Sequence, residues 1–132
     1  MARDSTVRLW GSATGAELRS FVADADYVSS VVFSPDGKML AAGGVRVHRT
    51  GSIIVWDLAK GERLQQFSRD GQQVWCLAFS PDGRLLVSGW RDGHIQLWDA
   101  ASGKELHAFR AHEWEVTCVR FSPDGKLLAS AK

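Results

Sequence analysis

The sequence predicts an all-β fold made of a repeated unit of four short antiparallel strands. Three observations carry that prediction. The tetrapeptide "SPDG" occurs at Ser34, Ser80 and Ser122, and it accounts for all three prolines of the 132-residue chain. Tryptophan closes a β-prone stretch at positions 10, 56 and 98, and both markers recur at the same intervals of 46 and 42 residues. No ten-residue stretch repeats its apolar positions with a helical period, so helix is not expected.

The elements follow in chain order. "TVRLW" ends at Trp10, and after a turn at Gly15 comes "AELRSF". "VSSVVF" (28–33) then runs into the first SPDG turn, and "KMLAA" leaves it. In that turn serine suits the first position, proline presets φ at the second, and glycine accepts positive φ at the fourth. The hairpin "GGVRVHRTGS" is longer than its equivalents by four residues and leads to "SIIVW" and, past Gly61, to "ERLQQF". The next unit is "VWCLAF" (74–79), "RLLVS", "HIQLW" and, past Gly103, "KELHAF"; the last stretch holds "VTCVRF" (116–121) and "KLLAS". Valine, isoleucine and aromatic residues dominate these segments, and Gly, Pro and Asp punctuate them.

Composition narrows the class of protein. With 45% hydrophobic residues the chain is expected to be one domain over residues 1–132. Sixteen basic and fifteen acidic residues leave a net charge of +1, so no one-sided field favours nucleic acid or anionic lipid. No apolar run approaches membrane-spanning length and "MARDSTVRLW" lacks a signal-peptide core, which points to the cytoplasm. Cys76 and Cys118 occupy equivalent places 42 residues apart and read as a repeated small buried position, not a disulfide.

Units of four strands every 40 to 45 residues, with Trp-Asp ending the third strand, resemble the WD-repeat β-propeller family. "SPDGRLLVSGWRDGHIQLWDAASGKELHAF" follows the family pattern nearly position by position, and "IIVWD" at 53–57 repeats its key dipeptide. The resemblance covers essentially the whole chain. It implies blades of four antiparallel strands, apolar on both faces because each is sandwiched between neighbours.

In those terms the chain reads as strands three and four, two full blades, then strands one and two. That makes three blade-equivalents, whereas propellers close with about four to eight. The Trp interval across a join of end to beginning is 44, between the two internal values. The expectation is therefore a ring completed by oligomerisation, the last two strands of one copy pairing with the first two of another. Two copies give six blades and three give nine; the homodimer is favoured over the homotrimer. The alternative is a fragment of a longer propeller.

The resemblance also implies a hydrogen-bonded chain of His, Ser or Thr, Asp and Trp inside each blade. In the blade beginning at Val74, the residues Ser88, Asp92 and Trp98 match, with Asp70 at the His position. In the blade beginning at Val28, Asp24 and Ala42 replace His and Ser, leaving Trp56. All four residue types occur in the junction unit, as His112 and Ser130 near the end and Asp4 and Trp10 near the beginning.

A non-catalytic scaffold that assembles itself and binds a protein or peptide is the function this reading favours. Candidates for the binding face are Trp114, Tyr27 and Gln73 in equivalent loops, with Arg91, Arg3 and Trp90 beside the hairpin turns, since aromatics and arginine anchor interfaces. Trp75, on a first strand, is expected in the core. No nucleophile or nucleotide motif occurs, and His48, His94, His107 and His112 have no metal-ligand spacing, so neither cofactor nor metal is expected. The alternatives are an assembling fragment or engineered unit without a ligand, and an enzyme with a site in the channel.

Overall fold

The computed structural model describes residues 5–23, 25–46, 50–69 and 71–132. Among them are twelve strands and no helix. β1 (Thr6–Trp10) and β2 (Glu17–Val22) form a two-stranded sheet. β3 (Tyr27–Phe33), β4 (Met39–Arg46), β5 (Thr50–Asp57) and β6 (Glu62–Arg69) form a four-stranded sheet in sequence order. β7 (Val74–Phe79), β8 (Leu85–Trp90), β9 (His94–Asp99) and β10 (Glu105–Arg110) repeat it, and β11 (Cys118–Phe121) and β12 (Leu128–Ala131) make a second pair. Every pairing is antiparallel.

The SPDG turns are built alike, from short-range bonds that their residue types dictate. Ser34 donates its hydroxyl to Asp36 Oδ1 at 2.6 Å and accepts the Met39 N–H at 2.9 Å, while Gly37 closes the turn with φ 72°. The Ser34 hydroxyl and the Lys38 backbone N–H hold the Asp36 carboxyl below its usual range. Asp82 and Asp124 are held down in the same way, by Ser80 and Ser122 first.

Side chains alternate between the faces of a strand, and here both faces are covered. On β5, Ile53 and Val55 enter the core shared with β7 and β8, whereas Ile54 and Trp56 enter the core shared with β1 and β2. On β7 and β8, Leu77 and Leu86 face the first of these cores, and Cys76, Ala78 and Val87 pack on Val116 and Val119 at the start of and within the last pair. Uninterrupted apolar runs such as "IIVW" and "LLV" thus belong to sheets stacked in a row of two, four, four and two strands. The extra residues of the long hairpin extend β4 and β5, whose ladder runs out to Arg46↔Thr50.

Two expectations about burial are corrected. Trp75 sits where the β7–β8 register shifts, between Val74 and Cys76, and is 43% exposed instead of entering the core. Cys76 is buried but Cys118 is exposed, because no further sheet stacks on the outer face of β11 among the described residues.

Candidate functional site

Ser88 on β8 is wholly buried, and its hydroxyl is the centre of the polar network in the second four-stranded sheet. Its Oγ accepts the indole N–H of Trp98 at 3.0 Å and that of Trp90 at 2.9 Å, and lies 3.4 Å from the Gln96 carbonyl. Trp98 in turn stacks on Phe67 of the neighbouring sheet, with ring centroids 4.6 Å apart and planes 9° off parallel. Trp90 must therefore be removed from the partner-facing set: it is fully buried, and its only donor is spent on Ser88. Asp70, which stands at the family's His position, lies outside the described residues, as does Asp24.

Asp92 does not meet Ser88. It sits in the β8–β9 turn, where Oδ1 accepts the His94 backbone N–H at 3.1 Å and Oδ2 faces Arg69 Nη2 at 3.0 Å and His94 Nδ1 at 2.9 Å. Burial works against its ionisation, but the His94 N–H, the Arg69 charge and His94 together prevail and hold the carboxyl below its ordinary value. Arg69 also lies over the Trp90 ring, 5.5 Å from its centroid, so a residue of β6 clamps the next sheet. Sequence reading passed over Arg69 and weighed His94 only as a metal ligand; the one available signal was a basic residue at the end of a fourth strand.

At the far end, His112 Nε2 and Ser130 Oγ are 2.9 Å apart. Trp10 is 56% exposed on the opposite end of the row, and Asp4 lies outside the described residues. Among the described residues, β1 bonds only to β2 and β12 only to β11, so no strand pairing within the chain brings Trp10 to Ser130.

The loops at this side of the sheets form an open cleft of about 580 Å³ whose walls include Gln72, Arg91, Arg110, Glu113, Trp114 and Glu115. Gly93, with φ 88°, shapes it: its carbonyl accepts the N–H of Ala111 at 2.8 Å, and a side chain there would collide with the backbone of His112 and Trp114. Arg110 donates to the carbonyls of His112 and Glu113, fixing the loop that lifts Trp114 to 65% exposure. Tyr27 is 60% exposed but is the first residue of β3, paired with Val45, and not a loop residue as expected, while Gln73 is half-buried and accepts the Arg91 N–H through its carbonyl at 2.8 Å. Arg3 lies outside the described residues. Arg110, Glu113 and Glu115 were missed in the sequence because nothing there marks which charged loop residues share a wall.

Burial, above all, pushes the Cys76 thiol up to about 11, which keeps it protonated and inert at neutral pH. Among the described residues, no three His, Cys, Asp or Glu side chains are grouped to hold a metal ion. Nor, among them, is any helix long and apolar enough to cross a membrane.

Comparison with known families agrees with this architecture. The model of the anaphase-promoting complex subunit 4 WD40 domain matches residues 41–124, and that of the WD domain, G-beta repeat, matches residues 15–57. The chain belongs to the WD-repeat family. No curated protein matches it.

Two predictions follow from the network. Ser88→Ala leaves two indole N–H groups without their acceptor and is expected to cost about 1–3 kcal/mol in chemical denaturation; a cost near zero would deny the hydroxyl its central place. Asp92 titrates lower in the folded chain than in the unfolded one. Its contribution is present above about pH 4 and is lost as pH falls through the folded value, so thermal stability should drop there less steeply in Asp92→Asn than in the parent. Parallel curves for the two proteins would show that Asp92 is not a source of the acid sensitivity.

Proposed function

We propose that the chain is a non-catalytic protein-interaction scaffold that closes its ring by pairing head to tail with a second copy, giving six blades. WD40 domains mediate protein–protein interaction and are generally non-catalytic, which supports the first half. One observation supports the second: β1–β2 and β11–β12 are complementary pairs, the first with the third and fourth strands of the repeat and the second with its first and second.

The internal ladder sets the register of that junction. In the complete blade Leu86 faces Trp98, Val87 faces Leu97 and Ser88 faces Gln96. Moved along the repeat, Leu128 would face Trp10 of the second copy, Ala129 its Leu9 and Ser130 its Arg8. The Trp10 indole would then reach Ser130 as Trp98 reaches Ser88, adding a donor to the His112 and Ser130 pair. Pairing also removes two open strand edges at each junction. The closed ring would present Trp114, Arg91 and Tyr27 on one rim, where an aromatic plate between charges suits a peptide that carries both apolar and ionic side chains.

Two measurements test this. Sedimentation of the purified chain should give twice its 14.5 kDa mass; a folded monomer overturns the assembly, and three times the mass overturns the two-copy ring. Peptides selected from a random display library on the wild-type protein should bind at least tenfold more weakly to Trp114→Ala or Arg91→Ala, roughly the cost of losing one anchor residue. Unchanged binding by both variants would place the partner elsewhere.

A further inference from the structure

Neighbouring sheets meet at three interfaces inside the chain, and each of several kinds of contact recurs at two of them. Phe21 of β2 packs on Trp56 of the next sheet with centroids 5.1 Å apart, and Phe67 of β6 stacks on Trp98 at 4.6 Å. These phenylalanines are 7% and 8% exposed. The third phenylalanine of the series, Phe109 on β10, is 46% exposed, and the tryptophan left over, Trp10, is 56% exposed. One half of the same contact stands open at each end of the row.

Polar clasps repeat beside the aromatic pairs. Arg19 Nη1 donates to the Leu58 carbonyl at 2.6 Å, and Gln65 Nε2 donates to the Ala101 carbonyl at 2.8 Å, each reaching the turn between the third and fourth strands of the next blade. His107 is the third member of that series, and it is exposed. The glycine of each receiving turn records the clasp: a Cβ at Gly61 would meet Arg19 at 3.3 Å, and one at Gly103 would meet Gln65 at 2.6 Å and Phe67 at 2.9 Å. At Gly15 there is nothing within 4 Å.

The SPDG turns carry a third mark. A Cβ at Gly83 would touch Pro35 at 3.6 Å and one at Gly125 would touch Pro81 at 3.5 Å, but Gly37 has no neighbour within 4 Å, and among the described residues no glycine Cβ would touch Pro123. Three kinds of contact, each made twice within the chain, thus leave matching halves at opposite ends.

Resting on the proposed self-assembly, we infer that the subunit junction is a two-blade interface in which Phe109 stacks on Trp10 of the second copy. His107 clasps the turn before that copy's Gly15, and Pro123 packs on its Gly37. The shared sheet of β12 and β1 is therefore only part of the contact. The Trp10 indole joins both parts, as Trp98 does internally: its edge faces the hydroxyl of the blade it completes and its ring faces the phenylalanine of the preceding blade. The occupant is a second copy because this one surface needs Trp and an open Gly turn at fixed positions, and the chain itself carries both in the required order.

The test is a double-mutant cycle on the full 132-residue chain, read by sedimentation over a concentration series. A two-copy ring holds this junction twice, so a loss of about tenfold at each would weaken dimerisation by roughly a hundredfold in Phe109→Ala. Trp10→Ala should weaken it at least as much, and the double variant should fall well short of the product of the two single effects. Because Phe109 is exposed in the single chain, its variant should keep the parent's circular dichroism when dissociated. A wild-type dimer that Phe109→Ala leaves unweakened overturns the aromatic contact while sparing the assembly, as does a strictly multiplicative cycle. A wild-type monomer overturns both.

Discussion

A β-sheet whose two faces are both apolar is soluble only between neighbours, and the whole chain is organised by that requirement. β5 sends Ile53 and Val55 to one side and Ile54 and Trp56 to the other, so the sheet of β3–β6 has no solvent face to spare. Stacking follows directly. Each added sheet covers one face and exposes another, and a row can end only by curving onto itself or by leaving apolar side chains in water. Phe109 and Trp10 are what such a row leaves at its ends.

Polar groups in this stack serve to choose one arrangement among many apolar ones. Packed valines and leucines tolerate sliding, whereas the Ser88 hydroxyl accepts two indoles only when β8 and β9 are in register and Phe67 supports the ring of Trp98. In a sheet with Asp70 at the family's histidine position, the Trp90 indole donates to the Ser88 hydroxyl and is itself covered by Arg69 from the preceding sheet. Asp92 then has no histidine from the preceding loop to orient and pairs with Arg69 and His94 instead. The network has been rebuilt around different residues while the Ser–Trp bond at its centre is kept.

Much of the fold was legible because it depends on local rules. Strand positions, SPDG turns and the order of two, four, four and two strands follow from period and turn chemistry, which neighbours in sequence determine. Burial was harder to read. Trp75 and Trp90 both lie on β-prone segments, yet a register shift in β7 leaves the first exposed, while the second fills space beside Gly51, where even one methyl would collide with it. Cys76 and Cys118 are equivalent in the repeat and differ only in whether another sheet lies beyond them.

The site divides in the same way. Sequence alone placed Trp114 and Arg91 in loops, because loop position follows from strand order, but it put Tyr27 in a loop where the structure makes it the first residue of β3. That Arg110 braces the Trp114 loop, and that Glu113 and Glu115 share its cleft, was decided by the tertiary structure. Period and turn type are properties of neighbours along the chain, so one sequence suffices to read them. Which side chain stands against which sheet depends on residues tens of positions away, and only the folded packing brings those together.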